Sequence, residues 1–131
     1  VSIGTNSRVI GPVSIGAGTT IEENVIIGPY TSIGEGCIIK ESAKIFSSSL
    51  YNRVVIGRGT TVCGSIIDND TVIGNKCSIE HETVIGPQVA LKNGVVVHAG
   101  ARIWPEVIIP EGTVVKEHVL NEKYDTRIEG S

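Results

Sequence analysis

The chain has no methionine, one phenylalanine and one tryptophan, and aromatic residues fill only 4% of its 131 positions. Hydrophobic residues still make up 40%, so any core is built from isoleucine and valine with almost no bulky filler. That suits many short strands and suits a helical bundle poorly. A charge excess is also missing: 11 Lys and Arg face 14 Asp and Glu, for a net charge of −3. The basic residues are scattered, which leaves no footprint for nucleic acid or a membrane surface. There is no long apolar run and no signal peptide. Cys37, Cys63 and Cys77 form no CxxC pair, so neither a disulfide framework nor a zinc knuckle is indicated. A reducing, cytoplasmic setting is the simpler reading.

What the chain does have is a repeat. Large aliphatics recur every sixth residue at Ile3, Val9, Ile15, Ile21, Ile27, Ile33, Ile39 and Ile45. The step shortens to five at Leu50 and again at Ile67, then six returns through Val115, with Leu120 expected as a third short step. Six matches neither the helical period nor long strand alternation. It matches a short strand plus a corner. Four residues after each aliphatic comes a small or β-branched side chain, such as Val13, Thr19, Val25, Thr31, Cys37 or Ala43. Glycine recurs directly after the aliphatic, as at Gly57 and Gly74, and glycine or asparagine three after it, as at Asn6 and Gly94. Both sets read as corners with positive φ.

Three hexads make one triangular coil, and stacked coils give three aliphatic columns headed by Ile3, Val9 and Ile15. Both short steps fall between the second and third columns, so the triangle keeps its phase. The expectation is an all-β parallel β-helix of about six to seven coils over residues 1–120. Residues 121–131 are read as a polar tail or cap. The repeat is already running at Val1, which predicts an uncovered first coil. A preceding domain of the same polypeptide is expected to cover it.

Candidate chemistry is sparse. His81, His98 and His118 fall on three successive coils along one corner. His81 and His98 could serve as a base or share a metal, or be solvent-facing corner residues. Cys63, Glu80, His98 and Lys116 form one column at that corner, and a solvated ladder is the plainer reading. Glu22 above Lys40 reads as a stacked ion pair. Trp104 is a contact residue or a local packing element, and Phe46, Leu50 and Tyr51 could form an interface patch at the first short step.

The runs Ile15-Gly16-Ala17-Gly18-Thr19-Thr20 and Ile33-Gly34-Glu35-Gly36-Cys37-Ile38 resemble the hexapeptide-transferase pattern. That resemblance implies a left-handed coil, against the usual crossover hand. Many such proteins are acetyl-CoA-dependent acyltransferases with a His base at a cleft between subunits. The His–x–x–Tyr–x–Gly–Asp run of the sugar-phosphate N-acetyltransferases is missing after His81. The spacing of the three histidines also departs from that of the γ-class carbonic anhydrases. Val25 to Val115 resembles the C-terminal β-helix of sugar-1-phosphate nucleotidyltransferases, mannose-1-phosphate guanylyltransferases above all. The likeness is carried by Val25-Ile26-Ile27-Gly28-Pro29-Tyr30, by Gly64-Ser65-Ile66-Ile67-Asp68-Asn69-Asp70, and by Ala101-Arg102-Ile103-Trp104-Pro105. It implies a parent enzyme that joins a nucleoside triphosphate to a sugar 1-phosphate, with magnesium, in an N-terminal domain. It also implies a homo-oligomer, dimer or trimer, and no catalytic residue in this segment.

Overall fold

The computed structural model describes residues 1–119 and 128–129. Among these there is no helix, only short strands in three sheets of seven, eight and six strands, parallel throughout except for the last strand of the second. The sheets are the three faces of a left-handed triangular β-helix of about six turns. The strand pairs reproduce the three columns: Ile3 beside Ile21, Val9 beside Ile27, Ile15 beside Ile33. The short steps hold register as expected, with Leu50 between Ile33 and Ile67, and Val62 between Ile45 and Ile79.

The column aliphatics and the small residues four positions on make up the core, from Ile21 to Val119. Hydroxyls at the small positions do more than fill space. Thr19 Oγ1 donates to the Gly34 carbonyl at 2.8 Å and accepts the Cys37 N–H at 3.1 Å. Thr60 does the same with Gly74 and Cys77, at 2.7 and 3.1 Å. Each such Thr ties its coil to the next through two bonds, one buried and one partly buried. Thr31 Oγ1 is buried without a partner. Below it the short step intervenes, and Ser48 Oγ donates to the Phe46 carbonyl at 2.8 Å.

The two glycine sets have different causes, which corrects the reading of both as positive-φ corners. The left-handed residue lies three after the aliphatic, and two after it at the short steps, at Ser47 and Gly64. Eleven such residues are not glycine, among them Tyr30, Arg53, Lys76 and Gln88. Glycines directly after the aliphatic serve close approach instead. A β-carbon on Gly16 would lie 2.6 Å from the Gly34 carbonyl carbon. Where that position holds a side chain, a partner has made room, as with Phe46, whose ring fills the space a β-carbon on Gly28 would need.

The ends differ. In the first coil Ile3 is 51% and Val9 39% exposed, although both belong to inner columns. At the other end, strand Ile128–Glu129 pairs antiparallel with Val114–Val115 and covers the second sheet. Val119 bridges to Ile103 and covers the third. Val119, four residues after Val115, therefore holds the column place expected for Leu120, which lies outside the described residues, as does most of the 121–131 segment.

Candidate functional site

The corner after the second sheet carries most of the chain's candidate chemistry. Register places Phe46, Cys63, Glu80, His98 and Lys116 in one column, and His81 follows Glu80 on the turn. Glu80 Oε1 lies 3.2 Å from His98 Nδ1 and accepts the Ala99 N–H at 3.2 Å. Both side chains are about two-fifths exposed, at 42% and 40%. The two histidines do not converge. His98 turns to Glu80, while His81 packs under Gly64, where a β-carbon would lie 3.1 Å from His81 Cβ. Among the described residues no cluster of three His, Cys, Asp or Glu is arranged to hold a metal ion.

Two asparagine ladders mark other corners. Asn52 Oδ1 accepts the Glu35 N–H at 2.9 Å, and Asn69 Oδ1 accepts the Asn52 N–H at 2.8 Å. Asn75 Oδ1 and Asn93 Oδ1 do the same for the Arg58 and Asn75 N–H groups, at 2.9 and 2.8 Å. The Glu22 carboxylate plays a similar part for the Glu41 N–H at 3.0 Å, in place of the ion pair expected with Lys40. Among the described residues Arg53 pairs with Asp70 at 2.6 Å, while Glu80 and His98 share the hydrogen bond already described. The Arg53 guanidinium holds the Asp70 carboxyl below the usual carboxylate range, chiefly through their hydrogen bond.

Of the contact residues expected from sequence, Trp104 is 54% and Tyr51 47% exposed. Trp104 with Val84, Gly86, Arg102 and Pro105 borders a shallow groove of about 280 Å³. Phe46 is half-buried across Gly28. Leu50 is a correction: it is 2% exposed, because it fills the third column between Ile33 and Ile67 and offers nothing to a partner. Cys37 and Cys77 are buried thiols that donate to the Tyr51 and Lys92 carbonyls, and burial pushes both above the ordinary thiol range. Cys63 is partly buried, the least enclosed of the three thiols.

Three parallel ladders closed into a left-handed triangular prism, with hexads of aliphatic, glycine and small residue, define the hexapeptide-repeat class of β-helix. Residues 9–119 match the family described as GMPPB C-terminal domain, and the chain belongs to that family. A search of curated proteins finds no match. Similar solved structures include the acetyltransferase domain of PglB from Neisseria gonorrhoeae in complex with acetyl coenzyme A. The identity is 20%, the TM-score 0.70, and the match covers 84% of this chain and 51% of that one. The UDP-N-acetylglucosamine acyltransferase of Francisella novicida is 22% identical, with a TM-score of 0.62 over 86% of this chain and 51% of that one. An H141N mutant of perosamine N-acetyltransferase from Caulobacter crescentus is 19% identical, with a TM-score of 0.61 over 92% and 51%. These likenesses establish the fold, and the chain spans about half the length of each. Among the described residues no helix is long and apolar enough to cross a membrane.

Proposed function

We propose that this chain is the non-catalytic assembly and regulatory β-helix of a sugar-1-phosphate nucleotidyltransferase. On this reading a preceding domain carries the reaction of a nucleoside triphosphate with a sugar 1-phosphate, using magnesium, in the cytoplasm. The observation that supports it is the family match over residues 9–119. The described corners add no constellation of nucleophile, base and oxyanion donors.

Acyl transfer is the competing reading, and one contact favours it. Glu80 holds the His98 ring by Nδ1, the arrangement that would leave Nε2 as a general base. Calorimetric titration with acetyl coenzyme A separates the two. Absence of binding, with an oligomeric solution mass, is expected for the assembly domain. Saturable binding that His98→Ala abolishes would overturn it.

A further inference from the structure

Asn93-Gly94 is the only place in the sequence where glycine follows asparagine. With no side chain on the second residue, such a dipeptide is open to attack by its own backbone. The Gly94 nitrogen can bond to Cγ of Asn93. Its proton leaves with the side-chain Nδ2 as ammonia, and a cyclic imide remains. Water then opens the ring on either side, to aspartate or to iso-aspartate. Water is the only co-reactant, and nothing is oxidised or reduced. Asn93 and Gly94 are both exposed, so water and base can reach them.

Two bonds stand in the way, and one residue supplies both. Asn93 Oδ1 accepts the Asn75 N–H at 2.8 Å. The Gly94 N–H donates to the Asn75 carbonyl, also at 2.8 Å. The backbone of Asn75, one coil away, therefore holds the electrophile and the nucleophile together. Attack requires the Gly94 nitrogen to give up a proton that this carbonyl shields, and the Asn93 amide to turn from its bond. The other ladder asparagines are clamped in the same way. Asn52, for example, holds Asn69 Oδ1 by its N–H and the Asp70 N–H by its carbonyl. Asn52, Asn69 and Asn75 are followed by Arg53, Asp70 and Lys76, whose side chains hinder ring closure. Of the four, Asn93 alone joins the clamp to a reactive dipeptide.

We propose that Asn93-Gly94 is a latent deamidation site, kept inert by the two-bond clamp from Asn75 and open to reaction whenever its coil opens. The modification is one-way. In the iso-aspartyl product the chain runs through the former side chain, and the main-chain carbonyl of Asn93 becomes a free carboxylate. That carbonyl accepts the Gly112 N–H at 3.0 Å, so the corner below loses its tie. The new charge also falls on the corner that carries Glu111. An opening that would otherwise reverse leaves a permanent mark, and the chain records its own excursions from the folded state.

Incubation of the whole chain at mildly alkaline pH, folded and in guanidinium chloride, tests this. Peptide mapping by mass spectrometry follows the amide-to-acid exchange at each asparagine. In denaturant Asn93 should convert fastest. In the folded chain it should convert at least about tenfold more slowly. Asn75→Pro removes the N–H that holds Asn93. Gly28-Pro29 and Gly86-Pro87 take the same place in their hexads, so proline suits the position after Gly74. Asn75→Ala keeps the N–H and loses only the bond to Arg58. The folded Asn75→Pro chain, checked by circular dichroism, should convert about fivefold faster than Asn75→Ala. If Asn75→Pro does not fold, hydrogen exchange at the Gly94 amide decides. The folded rate should then equal the denatured rate multiplied by the open fraction that this exchange reports. A faster folded rate, or an Asn75→Pro chain no faster than Asn75→Ala, overturns the clamp. Equal rates in folded and denatured chains overturn the protection, and a denatured chain that spares Asn93 overturns the site.

Discussion

Gly57 is pressed against the carbonyl of Gly74 in the next coil, so closely that a β-carbon on Gly57 would overlap that oxygen. Gly100 has the opposite surroundings: nothing lies within 4 Å of its β-position, but its φ is +81°. Gly57→Ala must push two coils apart and is expected to destabilise by about 3 kcal/mol or more. Gly100→Ala faces only the left-handed backbone penalty, about 1 kcal/mol. Urea unfolding of the two variants checks the order. Equal losses would show that close approach is not what Gly57 provides.

The corners leave room for improvement. Gln88 sits at φ +57°, is exposed, and its N–H donates to the Asn69 carbonyl at 2.9 Å. Asparagine tolerates that conformation better than glutamine and, unlike glycine, adds little freedom to the unfolded chain. Gln88→Asn is expected to raise stability by about 0.5 kcal/mol. A lower melting temperature would contradict it.

Asn75 is a middle rung: its Oδ1 accepts from Arg58 N, and its own N–H donates to Asn93 Oδ1. Asn75→Ala removes the acceptor and should lose about 1 kcal/mol. Asn75→Asp keeps an acceptor at the same place and should lose less. If both lose equally, the ladder bond to Arg58 is not what matters.

The thiols should divide by burial. Ellman's reagent at neutral pH is expected to titrate one thiol quickly, Cys63, and three after denaturation. Folded Cys37 and Cys77 keep their protons to higher pH than in the unfolded chain, whose thiols titrate near the ordinary 9.0. Their contribution to stability is therefore complete below that pH and lost as pH rises through the raised folded values. Cys37→Ala/Cys77→Ala should flatten the alkaline side of the stability profile. An unchanged slope would assign that loss to other groups.

The columns were legible in the sequence because each place in them demands the same thing, a buried aliphatic. Even the short steps at Leu50 and Ile67 could be placed, since only one phase kept all three columns apolar. The corners were less legible. A left-handed residue is needed at nearly every turn, but it is set by the geometry of the turn, and residues such as Lys76 and Gln88 accept it without a compositional sign. Likewise, Gly57 and Gly94 look alike in sequence, though one answers to a neighbouring coil and the other to its own φ of +69°. Leu50 drew two readings because a slip can mark either a packed column or a surface feature, and burial decides for the column. The Glu80–His98 pair was legible only as a shared column. That Glu80 turns to the next coil's ring and N–H required side-chain positions.

Strand Ile128–Glu129 and the Val119 bridge occupy two of the three ladders at one end of the rod, while the strands at Ser2–Ile3, Arg8–Val9 and Val13–Ile15 lie open at the other. Parallel β-helices have a generic hazard, since any coil can template the next copy and the stack can grow without limit. Here the terminal pieces act as a stopper. On the second and third faces the place of a further coil is already taken by pieces of the same chain, so no other strand can pair there.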